Sequence, residues 1–555
     1  MLVLPSMVAA PTPTHEEVWT VRRRMVDDLL AELRDRARRA RDRRDVKLIE
    51  THISWVLLGP EVYKIKKPVT LPFLDFASFE VRERACRAEV RVNRRLAPRT
   101  YLGVVPIRRR SDGRFTLQSG GGAIVEWAVQ MTRLDEARRA DALLEAGKLR
   151  REQIDALAQA IARFHADAAG GPRVARGGLP ELVERNVRDN FDALRGAGGA
   201  FVPEEALAEI ERWQLAFVRR HRDVFEERML AGAVRDGHGD LRLEHVFLHA
   251  ADLDFEVIDG IEFDERYRFA DVCADVAFLA MDLARLGRVD LAERFVATYA
   301  RAANDFDLYR VLDFYESYRA CVRAKIAASA AAKAGAPEPV AAAARAEARR
   351  YLLLAQAARR RSLLEPALVA VAGGIASGKS TLAERLGEAL SAPVVDADRT
   401  RKYMIGLAPT AHAAARAWEG AYDRAFSARV YAEVLRRAES VLASGRPVIV
   451  DASFRSVEAR AAARAIAEKH GVPFRLIECV APVELCRARL EARQRSKAHV
   501  SDATPEILDA FVAGYEPIVE IDPAEHVRVD TSASVEDALT QATRAIATWP
   551  RGFVA

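Results

Sequence analysis

One stretch limits the fold of this 555-residue chain more than any other: Gly373-Gly-Ile-Ala-Ser-Gly378-Lys379-Ser380-Thr381, which satisfies GxxxxGK[ST]. It follows the apolar run Leu368–Ala372 and precedes the helical pattern Leu382–Leu390, the strand–loop–helix setting such a loop requires. Glycines let successive backbone N–H groups wrap phosphate oxygens, and the helix N-terminus adds a favourable dipole. Lys379 is spaced to reach β- and γ-phosphates and Ser380 to offer its hydroxyl to Mg2+, while Gly373, Gly374, Ser377, Gly378 and Thr381 complete the cradle. A parallel α/β sheet is expected around it. Short apolar runs at Pro393–Val395, Val448–Val450, Phe474–Val480 and Val527–Val529 alternate with helical segments to the end of the chain, as that sheet demands.

The residues facing the phosphates narrow the chemistry. Val394-Val-Asp396-Ala-Asp398-Arg399-Thr400-Arg401-Lys402 ends the next strand and puts acid and base at the C-terminal sheet edge, where such folds bind ligands. Val448-Ile-Val-Asp451 is an apolar strand ending in a carboxylate suited to Mg2+ or its waters. Farther on, Arg487, Arg489, Arg493 and Arg495 sit in a helical and then looping stretch, as lid arginines that neutralise a transferring phosphate or as a solvated face. The DxxR pattern of Asp398 and Arg401 resembles the substrate side of small P-loop kinases, including polynucleotide 5′-kinase and gluconate-kinase-like groups. That resemblance covers about Leu368 to Ala555 and implies that Asp398 accepts the proton of an attacking hydroxyl while Arg401 holds the acceptor. The plain alternative is a helix N-cap followed by surface cations.

At 555 residues the chain has room for roughly three or four domains. With 50% hydrophobic and 30% charged residues it reads as soluble and globular, which excludes fibrous and mostly disordered classes. A net charge of +5 is a weak field over this length and argues against a nucleic-acid coat. Five cysteines without a CxxC pair fit neither a disulfide framework nor a structural zinc site. The first residues lack a basic region, Pro5 and Pro11 break their apolar stretch, and no apolar run approaches the ~18 residues of a membrane span. A cytoplasmic protein without membrane contact is expected.

Ahead of the phosphate loop the periodicity changes several times. Glu16 to Arg44 reads as an amphipathic helix whose Arg-rich face carries interleaved acids and so is expected to be solvated. Strand patterns follow at Val46–Glu50, Trp55–Leu58 and Val62–Lys66, then a helix over Phe79–Leu96 and strands at Tyr101–Ile107 and Ala123–Met131. Asp135 to about Arg235 is helical, strands return near Val246–Leu248 and Phe255–Ile258, and helices run from Ala270 to about Arg361, with an Ala-rich connector at Ala327–Ala348. Within this part lies Gly237-His238-Gly239-Asp240-Leu-Arg-Leu-Glu-His245, followed by Phe255-Glu-Val-Ile-Asp259-Gly-Ile-Glu262. Asp240 and Asp259 are 19 residues apart with a strand–turn–strand between, so they can converge on one metal–phosphate site.

The constellation resembles the aminoglycoside phosphotransferase branch of the protein-kinase-like fold, with HGD in place of HRD. The resemblance implies Asp240 as catalytic base and Asp259 as a Mg2+ ligand. It also implies a phosphate-contacting lysine on Val62-Tyr-Lys64-Ile-Lys66-Lys67, with Glu89 as its partner. Lys64 and Lys66 share a strand face, and the apolar neighbours of Lys64 favour it without excluding Lys66. Thr51–Ser54 would cover the nucleotide and Gln130–Leu134 would be the adenine hinge. His245 stands where the family places a metal-binding Asn, and imidazole is a poorer Mg2+ ligand, so on that count this half is expected to be slow, altered in specificity or a pseudo-enzyme. Asp271 and Asp275 fit an acidic patch, or more simply helix capping and core-edge hydrogen bonds.

Taken in order, the chain resembles a bacterial family of fused aminoglycoside-phosphotransferase-like and ATP-binding (AAA-type) proteins. The implied fold class is multidomain α/β and α+β: an N-terminal protein-kinase-like bilobal fold and a C-terminal P-loop kinase with a parallel α/β sheet. The expected boundaries are 1–45 for the N-terminal helical segment, 46–134 for the kinase-like N-lobe, 135–365 for the helical C-lobe and connector, and 366–555 for the P-loop domain. The implied function is a bifunctional phosphotransferase using ATP and Mg2+ at two sites on hydroxyls of small molecules such as sugars or aminoglycoside-like compounds. Two alternatives stand beside it: a P-loop kinase regulated by a catalytically weak N-terminal domain, and a nucleic-acid end kinase, which the weak net charge disfavours.

Overall fold

The structure is a computed structural model that describes residues 15–42, 44–71, 74–198, 202–249, 253–333, 335–357, 364–407, 423–494, 505–544 and 546. It divides into two units, residues 1–148 with 244–268, and residues 149–243 with 269–555.

The first unit is built on a six-stranded antiparallel sheet in the order Lys47–Glu50, Ser54–Leu58, Glu61–Lys66, Ala123–Thr132, Tyr101–Arg109, Phe115–Thr116. Both faces are covered because the strand residues alternate. Tyr63 and Ile65 join Trp55, Leu57, Ile107 and Ala128 under Met25, Leu29 and Leu33 of helix His15–Ala40. Val62, Val129 and Met131 lie on the opposite face with Cys86 and Val90 of helix Phe79–Asn93. Lys64 and Lys66 fall in phase with Val62, so strand periodicity alone turns both toward that second helix. The expected helical segment 1–45 is thus represented by a helix packed on this sheet. A short hairpin, Val246–Leu248 with Phe255–Val257, completes the unit.

The second unit begins with helices, among them Arg151–Asp167, Glu204–Arg220, Val289–Ala303 and Leu312–Ala331. Helix Cys273–Arg285 is buried from Cys273 through Leu283, which explains its mostly apolar sequence; Asp275 and Asp282 are buried with the rest. A two-stranded ribbon, Val234–Asp236 with Phe269–Asp271, interrupts the helices where the sequence reads as helical, because three-residue strands leave no period to detect. The unit ends in a five-stranded, wholly parallel sheet ordered Val394–Asp396, Val448–Asp451, Leu368–Gly373, Phe474–Val480, His526–Asp530. Its central strand is buried throughout and reads as an unbroken apolar run for that reason. Helix Lys379–Leu390 seats Leu382, Leu386 and Leu390 on Val369, Val371 and Ile449. All five cysteines are buried free thiols, and among the described residues no helix is long and apolar enough to cross a membrane.

Candidate active sites

The central strand of the parallel sheet delivers the chain into the glycine-rich loop with φ of +147° at Gly373, +58° at Ala376 and +88° at Gly378. A Cβ at Gly373 would sit 2.5 Å from Ser377 Oγ and 2.8 Å from the Cys479 carbonyl oxygen, so only glycine fits; at Gly374 nothing lies within 4 Å. Helix Lys379–Leu390 starts from Gly378 with no side chain capping it, which leaves its leading N–H groups for a ligand. Lys379 and Ser380 are partly exposed in its first turn and Thr381 is exposed beside them.

Two buried oxygens at this loop make no hydrogen bond with the described residues: Ser377 Oγ and Asp451 Oδ1. Asp451 ends the strand adjoining Leu368–Gly373 and stands in register with Asp396 on its other neighbour. Burial, and then the Asp396 charge, push its carboxyl up to about 7 against the pull of Lys379 and a Ser380 hydrogen bond. A buried oxygen left without a donor beside a serine hydroxyl fits a magnesium ion, and Ser380 and Asp451 are the residues placed to hold one. Among the described residues there is no group of three or more His, Cys, Asp or Glu that could hold a metal ion.

Asp396, not Asp398, caps helix Ala397–Met404, accepting from the Arg399 N–H at 2.8 Å. Asp398 is partly exposed in the first turn of that helix. Arg401 is buried and donates to Ser427 Oγ at 3.3 Å. Of the downstream arginines, Arg489 donates to the carbonyls of Ala376 at 3.3 Å and Thr531 at 2.6 Å, so it braces the phosphate loop from behind. Thr531, which sequence reasoning missed, shares that task by donating its hydroxyl to the Ser377 carbonyl. No motif announces it. Arg487 pairs with Asp509 at 2.7 Å, Arg493 lies on helix Val483–Gln494, and Arg495 lies outside the described residues.

In the first unit five charged side chains meet on the sheet face covered by helix Phe79–Asn93. Lys64 Nζ lies 2.8 Å from Glu89 Oε1 and 2.7 Å from Asp259 Oδ1, and Lys66 Nζ lies 2.5 Å from Glu89 Oε2 and also binds Glu262. Desolvation opposes the Lys64 charge, but Asp259 and Glu89 outweigh it and hold the ammonium well above its ordinary range. The same Lys64 charge draws Asp259 far below the usual carboxylate range. The Lys66 side chain is 0% exposed against 14% for Lys64 and 45% for Asp259, so of these three it is Lys66 that is sealed from a ligand. Asp259 has φ of +65°, an uncommon conformation that aspartate tolerates, and its N–H is received by the Tyr101 hydroxyl at 3.2 Å. His245 Nε2 is 3.8 Å from Asp259 Oδ2. Thr51–Ser54 forms a tight turn closed by two hydrogen bonds of 2.9 Å, from Thr51 N–H to the Ser54 carbonyl and from Ser54 N–H to Thr51 Oγ1. Gln130 lies within strand Ala123–Thr132 and donates to Glu61 at 3.1 Å.

In the second unit Asp240 is partly exposed, with Arg242 Nε at 3.2 Å. Its loop is held by Asp275, which receives the N–H of His238 at 2.7 Å and of Gly239 at 2.9 Å and lies 3.3 Å from His165 Nε2. The simpler reading of Asp275 as a core-edge acceptor thus describes what it does, and what it accepts is the HGD backbone. Asp271 instead forms a buried bidentate pair with Arg228. Arg319 donates to the Ala274 carbonyl, Arg323 lies over the Tyr351 ring and Lys325 donates to Asn190.

Residues 368–518 match the family model described as an AAA domain, which agrees with the loop and sheet described above. An uncharacterized protein of Mycobacterium tuberculosis is 34% identical over 494 residues, spanning 89% of this chain and 94% of that one. Among solved structures, an APS kinase of Mycobacterium tuberculosis is 22% identical over 33% of this chain and 97% of its own, with a TM-score of 0.24. A gluconokinase from Sinorhizobium meliloti is 20% identical over 34% and 93%, also with a TM-score of 0.24.

Proposed function

This chain belongs to the family of the mycobacterial protein it matches over nearly that protein's whole length, and we propose that it is an ATP-dependent phosphotransferase with two Mg-ATP sites, acting on hydroxyl groups of small molecules. Sugars and aminoglycoside-like compounds are the acceptor class. The observation that carries the reading is the buried Asp451 carboxylate beside Ser380 and Lys379, one strand from Asp398 and Arg401. Hydrolysis needs only the loop and the magnesium carboxylate; a second acid and base at the next strand end give an acceptor other than water its place.

In this site Lys379 meets the β- and γ-phosphates, and Ser380 and Asp451 would hold Mg2+, which would offset phosphate charge. Asp398 takes the hydrogen bond of the acceptor hydroxyl and aims it, and Arg401 grips the acceptor. In the N-terminal half Lys64 is the phosphate-contacting lysine, anchored by Glu89, Asp259 is the metal carboxylate, and Asp240 is the acceptor-orienting base. His245 beside Asp259 favours a second reading, in which this half turns over slowly and regulates the P-loop kinase.

The test is acceptor-dependent release of ADP by the full chain against a panel of sugars, aminoglycosides and nucleosides, with Lys379→Ala, Asp398→Asn and Asp240→Asn variants. Two kinase sites predict acceptors lost selectively with Asp240→Asn and others lost with Asp398→Asn. ATP turnover that needs no acceptor and survives Asp398→Asn sinks the P-loop kinase reading. If Asp240→Asn changes no acceptor's turnover, the regulatory reading replaces the bifunctional one.

A further inference from the structure

The second unit contains a cavity of about 960 Å3, walled on one side by helices Arg151–Asp167 and Val289–Ala303 and on the other by helices Lys379–Leu390, Ala397–Met404 and Arg424–Ala443. It lies apart from the phosphate loop, and none of the roles assigned above uses it. The walls are tied across by ion pairs: Arg301 to Glu384 at 2.5 Å and Arg436 to Asp307 at 2.8 Å. Arg294, itself buried, is clamped by Asp155 and donates to the Glu388 carbonyl. The space is therefore framed by specific contacts.

Its lining carries nine arginines against seven carboxylates. Every one of those carboxylates has an arginine partner, whereas Arg163, Arg235 and Arg399 have no carboxylate partner among the described residues. Three donors in the lining are buried with no hydrogen-bond acceptor among the described residues: Arg301 Nε, Asn304 Nδ2 and Arg399 Nε. Each such donor costs about 1–3 kcal/mol if nothing receives it, and three in one cavity call for a shared acceptor. Burial, and then the nearby Arg301 charge, disfavour the Arg399 guanidinium charge against the pull of Asp396 and Glu384, so an anion here would relieve it.

We propose that this cavity is a binding site for a phosphorylated small molecule. A phosphoryl group brings close to two negative charges and three acceptor oxygens, which match the surplus cations and the three unreceived donors. The volume lies at the upper end of the range for small-molecule sites, enough for a guest as large as a nucleotide. The guest would touch helix Lys379–Leu390, which begins at the phosphate loop, and helix Ala397–Met404, which carries Asp398 and Arg401 on the turns around Arg399. Its occupancy would therefore bias both helices that serve the P-loop site.

The test is calorimetric titration of inorganic pyrophosphate into the full chain carrying Lys379→Ala and Lys64→Met, which together remove the phosphate-contacting lysines of both proposed ATP sites. One site is expected in that background, weakened about 100-fold by adding Arg301→Gln with Arg399→Gln, from the loss of two charge-assisted hydrogen-bond donors. Ala303→Trp, which fills the exposed mouth of the cavity without removing any charge, is expected to weaken it as well and guards against misfolding of the double variant. The proposal is overturned if both cavity variants bind pyrophosphate as the background does, if that background binds none, or if citrate binds there and pyrophosphate does not. None of these results depends on whether the P-loop site transfers phosphate.

Discussion

Asp451→Asn tests the electrostatics of the P-loop site without any knowledge of its acceptor. The Asp451 carboxyl is fully buried, lies in register with Asp396 and titrates at about 7, up from 3.8. Between those two values the folded chain binds a proton that the unfolded chain releases, so ν_N exceeds ν_U and stability falls as pH rises through this window. At 1.36 kcal/mol per pKa unit, a rise of about three units sets an upper bound of roughly 4 kcal/mol of destabilisation, complete above pH 7 and absent below pH 4. Asparagine keeps the shape and removes the charge. In nucleotide-free buffer with a chelator, hydrogen exchange of strands Leu368–Gly373 and Val448–Asp451 reads the local stability. The wild type is expected to lose protection between pH 5 and 8 while Asp451→Asn stays level, the variant being the more stable at pH 8. Mg-ADP should restore the wild type and leave the variant where it was. A variant no more protected than the wild type at pH 8, or a difference constant across pH, would refute the reasoning.

Three further outcomes follow from the same geometry. Lys66→Met should cost about 3–5 kcal/mol in denaturant unfolding of the first unit's sheet, because the buried Glu262 then has lost its lysine and Glu89 keeps only Lys64; Lys64→Met, with its side chain 14% exposed, should cost less and, on the proposed function, abolish nucleotide binding by that half. Gly373→Ala should destroy nucleotide affinity at the loop, since its Cβ would collide with Ser377 and Cys479, whereas Gly374→Ala should leave the melting temperature of the chain unchanged. Asp275→Asn turns one of two accepting oxygens toward an N–H as a donor; in the Lys379→Ala background it should lower kcat for Asp240-dependent acceptors about a hundredfold with KM little moved.

What the sequence disclosed depends on where each signal resides. The parallel sheet was legible because strands buried on both faces read as near-continuous apolar runs, as Leu368–Gly373 and Val448–Asp451 do, while Phe474–Val480, with Arg475 and Glu478 partly exposed, does so only in part. The ribbon Val234–Asp236 with Phe269–Asp271 was not, because its register is fixed by residues 33 or more positions away and not by any local period. The packing of helix His15–Ala40 on the first sheet was readable only as an apolar stripe, with nothing to say which surface it would cover.

The sites divide in the same way. Lys379, Asp451, Asp240 and Asp259 stand in runs whose residue types the chemistry dictates. The residues that hold those runs still do not. Arg489 was visible as a cation in the right region, yet its guanidinium is spent on the carbonyls of Ala376 and Thr531, so its charge supports the loop's shape. Asp275 was visible as an acid at a helix start, and only three-dimensional proximity reveals that it receives two N–H groups of the HGD loop. Backbone acceptors and donors leave no mark in a sequence, because every residue has them. A variant of a bracing residue should therefore be told from one of a reacting residue by its pH profile: loss of Arg489 or Asp275 scales the rate at all pH values, whereas loss of Asp398 removes the titration that its carboxylate contributes.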